Sequence, residues 1–413
     1  MGTIATRILD CGMPLVVETM SGVRSVALSW LLPMGSASDP GNREGLSTLA
    51  SEMILRGAGS RTSKQHADDT DRLGATRHAD IGTFTMHIAS TMLADRVRDV
   101  LPLIADVVRR PHLDDGALAA SKDLALQALE SLKDDPQERA MLLARLRHNP
   151  EPINRSGYGT REGLVATTRE DVVSRWRELA RPKRSVLALA GAVSMEDVRG
   201  QFNDMLAGWE GDAPEPVLGP IPARGYAHEH DETRQVQVIV AYDAPPEVSP
   251  DSVLERLAIG VLSGGMAGRL FTEVREKRGL CYSVSAGYRG DKAYGVVNAY
   301  VGTTPERAQE SLDVLLAELR RILTREGRVT EDEFERAKIG MKSGLVFSGE
   351  STGARAAALA ADQRRLGRAR SLEEVAAEVE RVTLDQLNAY LETRRMGKMT
   401  IQTLGPQELR VAE

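Results

Sequence analysis

The sequence predicts an α+β protein built from two homologous α/β sandwich domains, each an antiparallel sheet with helices on one face. Three observations carry that expectation. One order of strands and helices occurs twice, displaced by roughly 210 residues. The strand-like runs alternate apolar and polar residues, and the runs between them place Leu, Val and Ile at helical spacing. Between the copies, Gly208–Arg224 (GWEGDAPEPVLGPIPAR) is rich in Pro, Gly and acidic residues and reads as an extended surface linker. The domains are therefore expected at 1–207 and 227–413, with the linker at 208–226.

In the first copy, Arg24–Leu32 (RSVALSWLL) reads as a strand and is followed by a Gly/Ser/Asp/Pro loop. Gly45–Arg56 then sets Leu46, Leu49, Met53 and Ile54 on one helical stripe. A strand at Thr83–Ala89 precedes a helix carrying Val97, Val100, Leu101, Ile104 and Val108, which Pro102 should kink or loosen. Thr168–Gly191 closes the copy as helix, basic turn and terminal strand.

The second copy repeats the order. Gln235–Tyr242 (QVQVIVAY) alternates as a strand, and a helix around Val253–Leu262 runs into a Ser263-Gly264-Gly265 break, read as a hinge. A charged helical turn follows with Leu270, Phe271 and Val274 on one stripe, ended by Gly279. Cys281–Tyr288 and Tyr294–Val301 form a hairpin across Arg289–Lys292. Thr304 caps the next helix, which begins at Pro305 and aligns Leu312, Leu315, Leu316 and Leu319. Thr383–Gly405 mirrors the helix, turn and strand that end the first copy.

Composition narrows the function classes. Of the 413 residues, 27% are charged and 42% hydrophobic, which fits a globular chain and excludes a disordered one. The net charge of −6, with no long basic run, argues against nucleic acid as a partner. Cys11 and Cys281 lie too far apart in sequence to suggest a disulfide framework and read as buried thiols. No apolar run is long enough to span a bilayer, and the N-terminus lacks a basic-then-apolar secretory layout. A cytoplasmic setting is expected, with periplasmic or organellar ones left open.

The run Ser263–Tyr288 (SGGMAGRLFTEVREKRGLCYSVSAGY) organises the chemistry. Arg275 near the end of the helical turn and Tyr282 at the start of the strand stand seven residues apart, so two rigid elements aim a guanidinium and a phenol across one tight turn. This run resembles the C-terminal half of the M16 zinc peptidases, in which an Arg and a Tyr at that spacing bind substrate. Other stretches carry the resemblance too: GSASDPGNREGLSTLASEM, LQALESLKDDP, and Gly157-Tyr158-Gly159 ahead of Gly163.

The same resemblance exposes a missing constellation. The family carries H-x-x-E-H on a helix of its first half and a further Glu on a later helix, holding zinc and activating water. In that register Thr48 stands at the first His, Ser51 at the Glu base, Glu52 at the second His and Ala128 at the third ligand. His228-Glu229-His230 puts two imidazoles on one face of a strand and reads as an adventitious metal contact; His66, His78, His87, His112 and His148 form no ligand spacing. There is no G-x-S-x-G elbow, P-loop or dinucleotide fingerprint.

The resemblance thus implies a chain of the M16B type, similar to mitochondrial processing peptidase, that is inactive alone and holds no cofactor. Its partner would be a homologous H-x-x-E-H subunit carrying the zinc, and the two would close around an extended or unfolded peptide held by Arg275 and Tyr282. A scaffold subunit like the core proteins of respiratory complexes, and a stand-alone peptide-binding protein, are the alternatives.

Overall fold

The structure is a computed structural model describing residues 2–411. It comprises two compact units, neither of them continuous in sequence. The first holds residues up to Ser131, Glu151–Gly219 and Ser348–Ser371; the second holds Leu132–Pro150, Pro220–Phe347 and the chain from Leu372 onward.

The first unit is built on a six-stranded sheet with the spatial order Thr3–Ile8, Pro14–Thr19, Val186–Gly191, Ser25–Leu32, Met86–Leu93, His78–Ile81. All its pairings are antiparallel except that of Pro14–Thr19 with Val186–Gly191. One face packs Val26, Leu28, Trp30 and Leu32 against helices Leu46–Met53, Val97–Arg109 and Met195–Met205. Trp30 lies edge-on to Phe202 and Trp209, with ring centres 6.5 and 5.8 Å away. The expected strand at Thr83–Ala89 begins instead at Met86, because Gly82 and Thr85 close the turn of a hairpin with His78–Ile81. Helix Val97–Arg109 runs through Pro102 without a break.

The second unit has a five-stranded sheet with the order Cys281–Gly290, Gly295–Thr303, Val236–Ala244, Thr400–Gly405, Tyr226–His230, and only the last pair is parallel. The alternation read in the sequence puts Val236, Val238, Val240 and Tyr242 on the face that meets Leu257, Leu262, Leu312, Leu315 and Leu319. The hairpin Cys281–Gly290/Gly295–Thr303 extends two residues past the expected ends.

Each sheet also carries one helix on its other face, contributed by the opposite half of the chain. Helix Thr352–Leu366 lies in the first unit, where Ala356, Leu359 and Ala360 pack on Val16, Ala27, Leu31 and Ala188. Small side chains on both sides let the backbones approach closely. Arg355 of this helix donates through Nε to Glu18 Oε2 at 2.7 Å, and both residues are buried. Helix Pro136–His148 lies in the second unit, with Ala140 and Ala144 on Ile239, Tyr300 and Leu404. Its His148 imidazole pairs with the Thr400 hydroxyl at 3.1 Å, and its Arg139 with Asp231.

Between the repeats, Gly208–Arg224 contains no helix or strand of its own, yet it is not uniformly exposed. Trp209 and Ala213 are buried, and the Trp209 indole donates to the Ala180 carbonyl at 3.0 Å. Val217 and Ile221 are exposed.

Candidate functional site

Arg275 and Tyr282 sit on two local departures from regular structure. Helix Ser252–Ser263 ends at Gly264, and the chain re-forms a helical turn anchored by the buried Leu270 and Val274. The sequence predicts an ordinary α-helical turn there; Phe271–Glu276 is instead a wider π turn, in which the Lys277 N–H reaches the Thr272 carbonyl at 3.0 Å. Single π turns of this kind recur at functional sites. Gly279 then adopts a left-handed φ of 61°, which lets the Gly279 and Leu280 amides turn back onto the carbonyls of Arg275 and Val274. Beyond it, Cys281 faces Thr303 while Ser283 faces Gly302, so Tyr282 is the extra residue of a β-bulge. A bulge re-aims its side chain. Tyr282 is 83% exposed.

The two irregularities bring three side chains into one stack. The Arg275 guanidinium lies 4.9 Å from the Phe271 ring centre and 5.4 Å from that of Tyr282. Phe271, expected on a core stripe, is only half-buried, and its partner is the guanidinium. The signal in the sequence was an aromatic residue four positions before the Arg, a spacing the helical stripe absorbed. The two ring contacts leave the guanidinium N–H groups available as hydrogen-bond donors. Among the described residues neither they nor the Tyr282 hydroxyl have a hydrogen bond or ion pair. The nearby Glu273 carboxylate is taken by Lys277 at 2.7 Å and Arg278 at 2.8 Å. Burial pushes the Cys281 thiol up to about 11, with Arg275 pulling the other way, so this cysteine stays protonated and unreactive. What remains is a set of donors suited to carbonyl or oxyanion oxygens.

The first-half positions are arranged differently. Helix Leu46–Met53 is fastened at its start by buried Asp39, which accepts from the amides of Gly45 at 2.8 Å and Ser47 at 2.9 Å. Burial raises the Asp39 carboxyl from 3.8 to about 6, against the pull of its hydrogen bonds to Ser47 and Gly45. The Gly157-Tyr158-Gly159 run packs on this start. A Cβ on Gly159 would come within 2.5 Å of the Glu44 carbonyl oxygen, and its φ is +68°. Thr48 spends its hydroxyl on the Gly157 carbonyl, and buried Ser51 donates back to the Thr48 carbonyl at 2.8 Å. Glu52 is half-buried; Ala128, on helix Asp115–Ser131, is exposed and offers no donor atom.

These residues do not fit a zinc ion. One carboxylate without imidazoles falls short of the three or four ligands a zinc site requires. Among the described residues no group of three or more His, Cys, Asp or Glu side chains is placed to hold a metal. His228 and His230 do share a face of strand Tyr226–His230, with rings 6.5 Å apart, but His228 is tied to the Thr403 hydroxyl at 2.9 Å and His230 to Glu232. No described helix is long and apolar enough to cross a membrane.

Comparison with known proteins bears on both halves. The model of the insulinase family (peptidase family M16) matches residues 15–156, and that of the peptidase M16 inactive domain matches residues 166–341. The uncharacterized zinc protease YmxG of Bacillus subtilis is 25% identical over 386 residues, covering 91% of this chain and 92% of that protein. Among solved structures, the peptidase M16 inactive domain from Pseudomonas fluorescens superposes with a TM-score of 0.89 at 22% identity, covering 99% of this chain and all of that one. A chain of complex III2 from Candida albicans superposes with a TM-score of 0.83 at 15% identity, covering 98% and 96%.

Proposed function

The chain belongs to the M16 peptidase family, and from that membership we propose that it is a non-catalytic, substrate-binding subunit of an M16B-type peptidase pair. The observation that carries the reading is a contrast between the two units. In the register of the resemblance the zinc and base positions keep a single carboxylate, Glu52, and no imidazole, whereas the Arg275 and Tyr282 donors have no hydrogen-bond or ion-pair partner among the described residues. In this reading a homologous H-x-x-E-H subunit supplies the zinc site, in the cytoplasm. Arg275 and Tyr282 hold a backbone carbonyl of an extended peptide and steady the charge that grows on its oxygen. Strand addition at an exposed sheet edge supplies sequence-tolerant affinity.

A scaffold role is the second reading, favoured by the likeness to the Candida complex III2 chain. A scaffold has no use for unpaired donors in one stack, which counts against it. The test is kcat/KM of the chain reconstituted with an H-x-x-E-H homologue from the same organism. Tyr282→Phe, which keeps the ring and deletes one hydroxyl, is expected to lower it by roughly 10²-fold while partner affinity holds. Full activity of an Arg275→Ala/Tyr282→Phe double variant would reduce the chain to a scaffold.

A further inference from the structure

Strand Cys281–Gly290 is outermost in its sheet, so one row of its peptide groups faces away from Gly295–Thr303. Ala286 belongs to that row, and its N–H donates to the Ser263 hydroxyl at 2.9 Å. In an antiparallel strand the N–H and C=O of a residue point to the same side and alternate residues share it. Val284 therefore presents its donor and acceptor to the same open edge, and only the bulged Tyr282 and Ser283 separate it from Cys281. The usable edge is short, bounded at one end by the Phe271–Arg275–Tyr282 stack and at the other by Ser263. Ser263 is held in place as the last residue of helix Ser252–Ser263, next to the buried Val261 and Leu262.

We propose that Ser263 is a specificity-determining stop, which limits an extended peptide added to this edge to one ladder step at Val284. The proposal rests on Arg275 and Tyr282 being a peptide-binding pair, and it adds what length of peptide they work with. The occupant is a main chain because everything displayed matches one. Val284 offers one donor and one acceptor, Arg275 offers only donors, and the Tyr282 hydroxyl can donate as well, which together complement carbonyl oxygens. The neighbouring side chains, Ser283, Ser285, Ala286 and Gly287, are too small to make pockets. A peptide running on toward Ala286 finds that amide already bonded and the helix end beside it.

Fluorescein-labelled, C-terminally amidated peptides of four, eight and twelve residues, titrated into the full chain by fluorescence anisotropy, test this. With the native chain the three dissociation constants should agree within about twofold. In Ser263→Ala the freed Ala286 amide should tighten the longer peptides by about five-fold, the worth of one added hydrogen bond, and leave the shortest unchanged. Ser263→Thr keeps the hydroxyl and should restore the native profile. A native chain that gains affinity with length, or a Ser263→Ala chain whose length profile matches the native one, overturns the stop. Arg275→Ala/Tyr282→Phe separates the two ideas: uniform weakening at all lengths with an unchanged Ser263→Ala profile discards the stop and keeps the binding pair. Failure of every peptide to bind discards both.

Discussion

The buried pair Glu18–Arg355 offers the sharpest test of how the chain is held together. Arg355 arrives on helix Thr352–Leu366 from the second half of the sequence and meets Glu18 on strand Pro14–Thr19 of the first. Glu18 is 5% and Arg355 3% exposed, so neither charge can turn to water if the other is removed. Glu18→Gln should therefore destabilise the first unit by about 3–5 kcal/mol, the usual penalty for stranding one member of a buried pair. With a urea m-value of about 2–3 kcal/mol/M, the midpoint falls by roughly 1–2.5 M. Glu18→Leu/Arg355→Met removes both charges and should recover most of that loss, because the pair's attraction is largely offset by the desolvation of two ions. The assay is urea unfolding followed by the fluorescence of Trp30, Trp176 and Trp209, all in the first unit. An unchanged midpoint in Glu18→Gln would show that the helix is held by its alanine face alone, and a double variant as weak as the single one would show that the pair's attraction outweighs its desolvation.

Four further outcomes are expected. The purified chain should retain no stoichiometric zinc after dialysis against a chelator, since Thr48, Ser51, Glu52 and Ala128, the residues proposed at the ligand and base positions, offer one carboxylate and no imidazole; elemental analysis reads this directly. Phe271→Leu should lower peptide affinity by freeing the guanidinium, and Phe271→Tyr should restore it; equal affinities in the native and Leu proteins would refute the stack's role. Limited proteolysis should cut first within the exposed part of Gly208–Arg224, around Val217–Ile221, and the fragments should co-elute in gel filtration, because each compact unit contains chain from both sides of the cut. Asp39 adds a pH dependence. Its folded pKa of about 6 lies above the ordinary 3.8, so its contribution is whole below about pH 4 and is lost as pH rises through 6. That loss amounts to roughly 3 kcal/mol. Asp39→Asn should flatten that part of the stability profile, measured by urea midpoints between pH 4 and 7.

Much of the architecture was legible because it rests on local periodicity. The alternation in QVQVIVAY and RSVALSWLL sets which residues of each strand share a face, and the leucine stripe from Leu312 to Leu319 sets the buried face of its helix, without reference to anything distant. The exchanged helices were not legible for the converse reason. Ala356, Leu359 and Ala360 look like any amphipathic stripe, and nothing local says whether they cover the nearer sheet or the farther one. The parallel pairings of Pro14–Thr19 with Val186–Gly191 and of Tyr226–His230 with Thr400–Gly405 join strands that are distant in sequence, and no local pattern marks them.

The Arg275–Tyr282 spacing was visible as a pattern, but its geometry depends on two insertions that the pattern conceals. Phe271 and Arg275, four residues apart, would share a face of a regular α-helix as well, whereas an unbroken ladder would give Tyr282 a fixed place in the sheet's alternation. The π turn widens the helix by one residue and the bulge adds one to the strand, so both deviations act on the same seven-residue interval. The π turn keeps Val274 in the core while leaving Phe271 only half-buried, and the bulge leaves Tyr282 exposed. Two irregularities that flank one exposed guanidinium and one exposed phenol fit the proposed peptide-binding role.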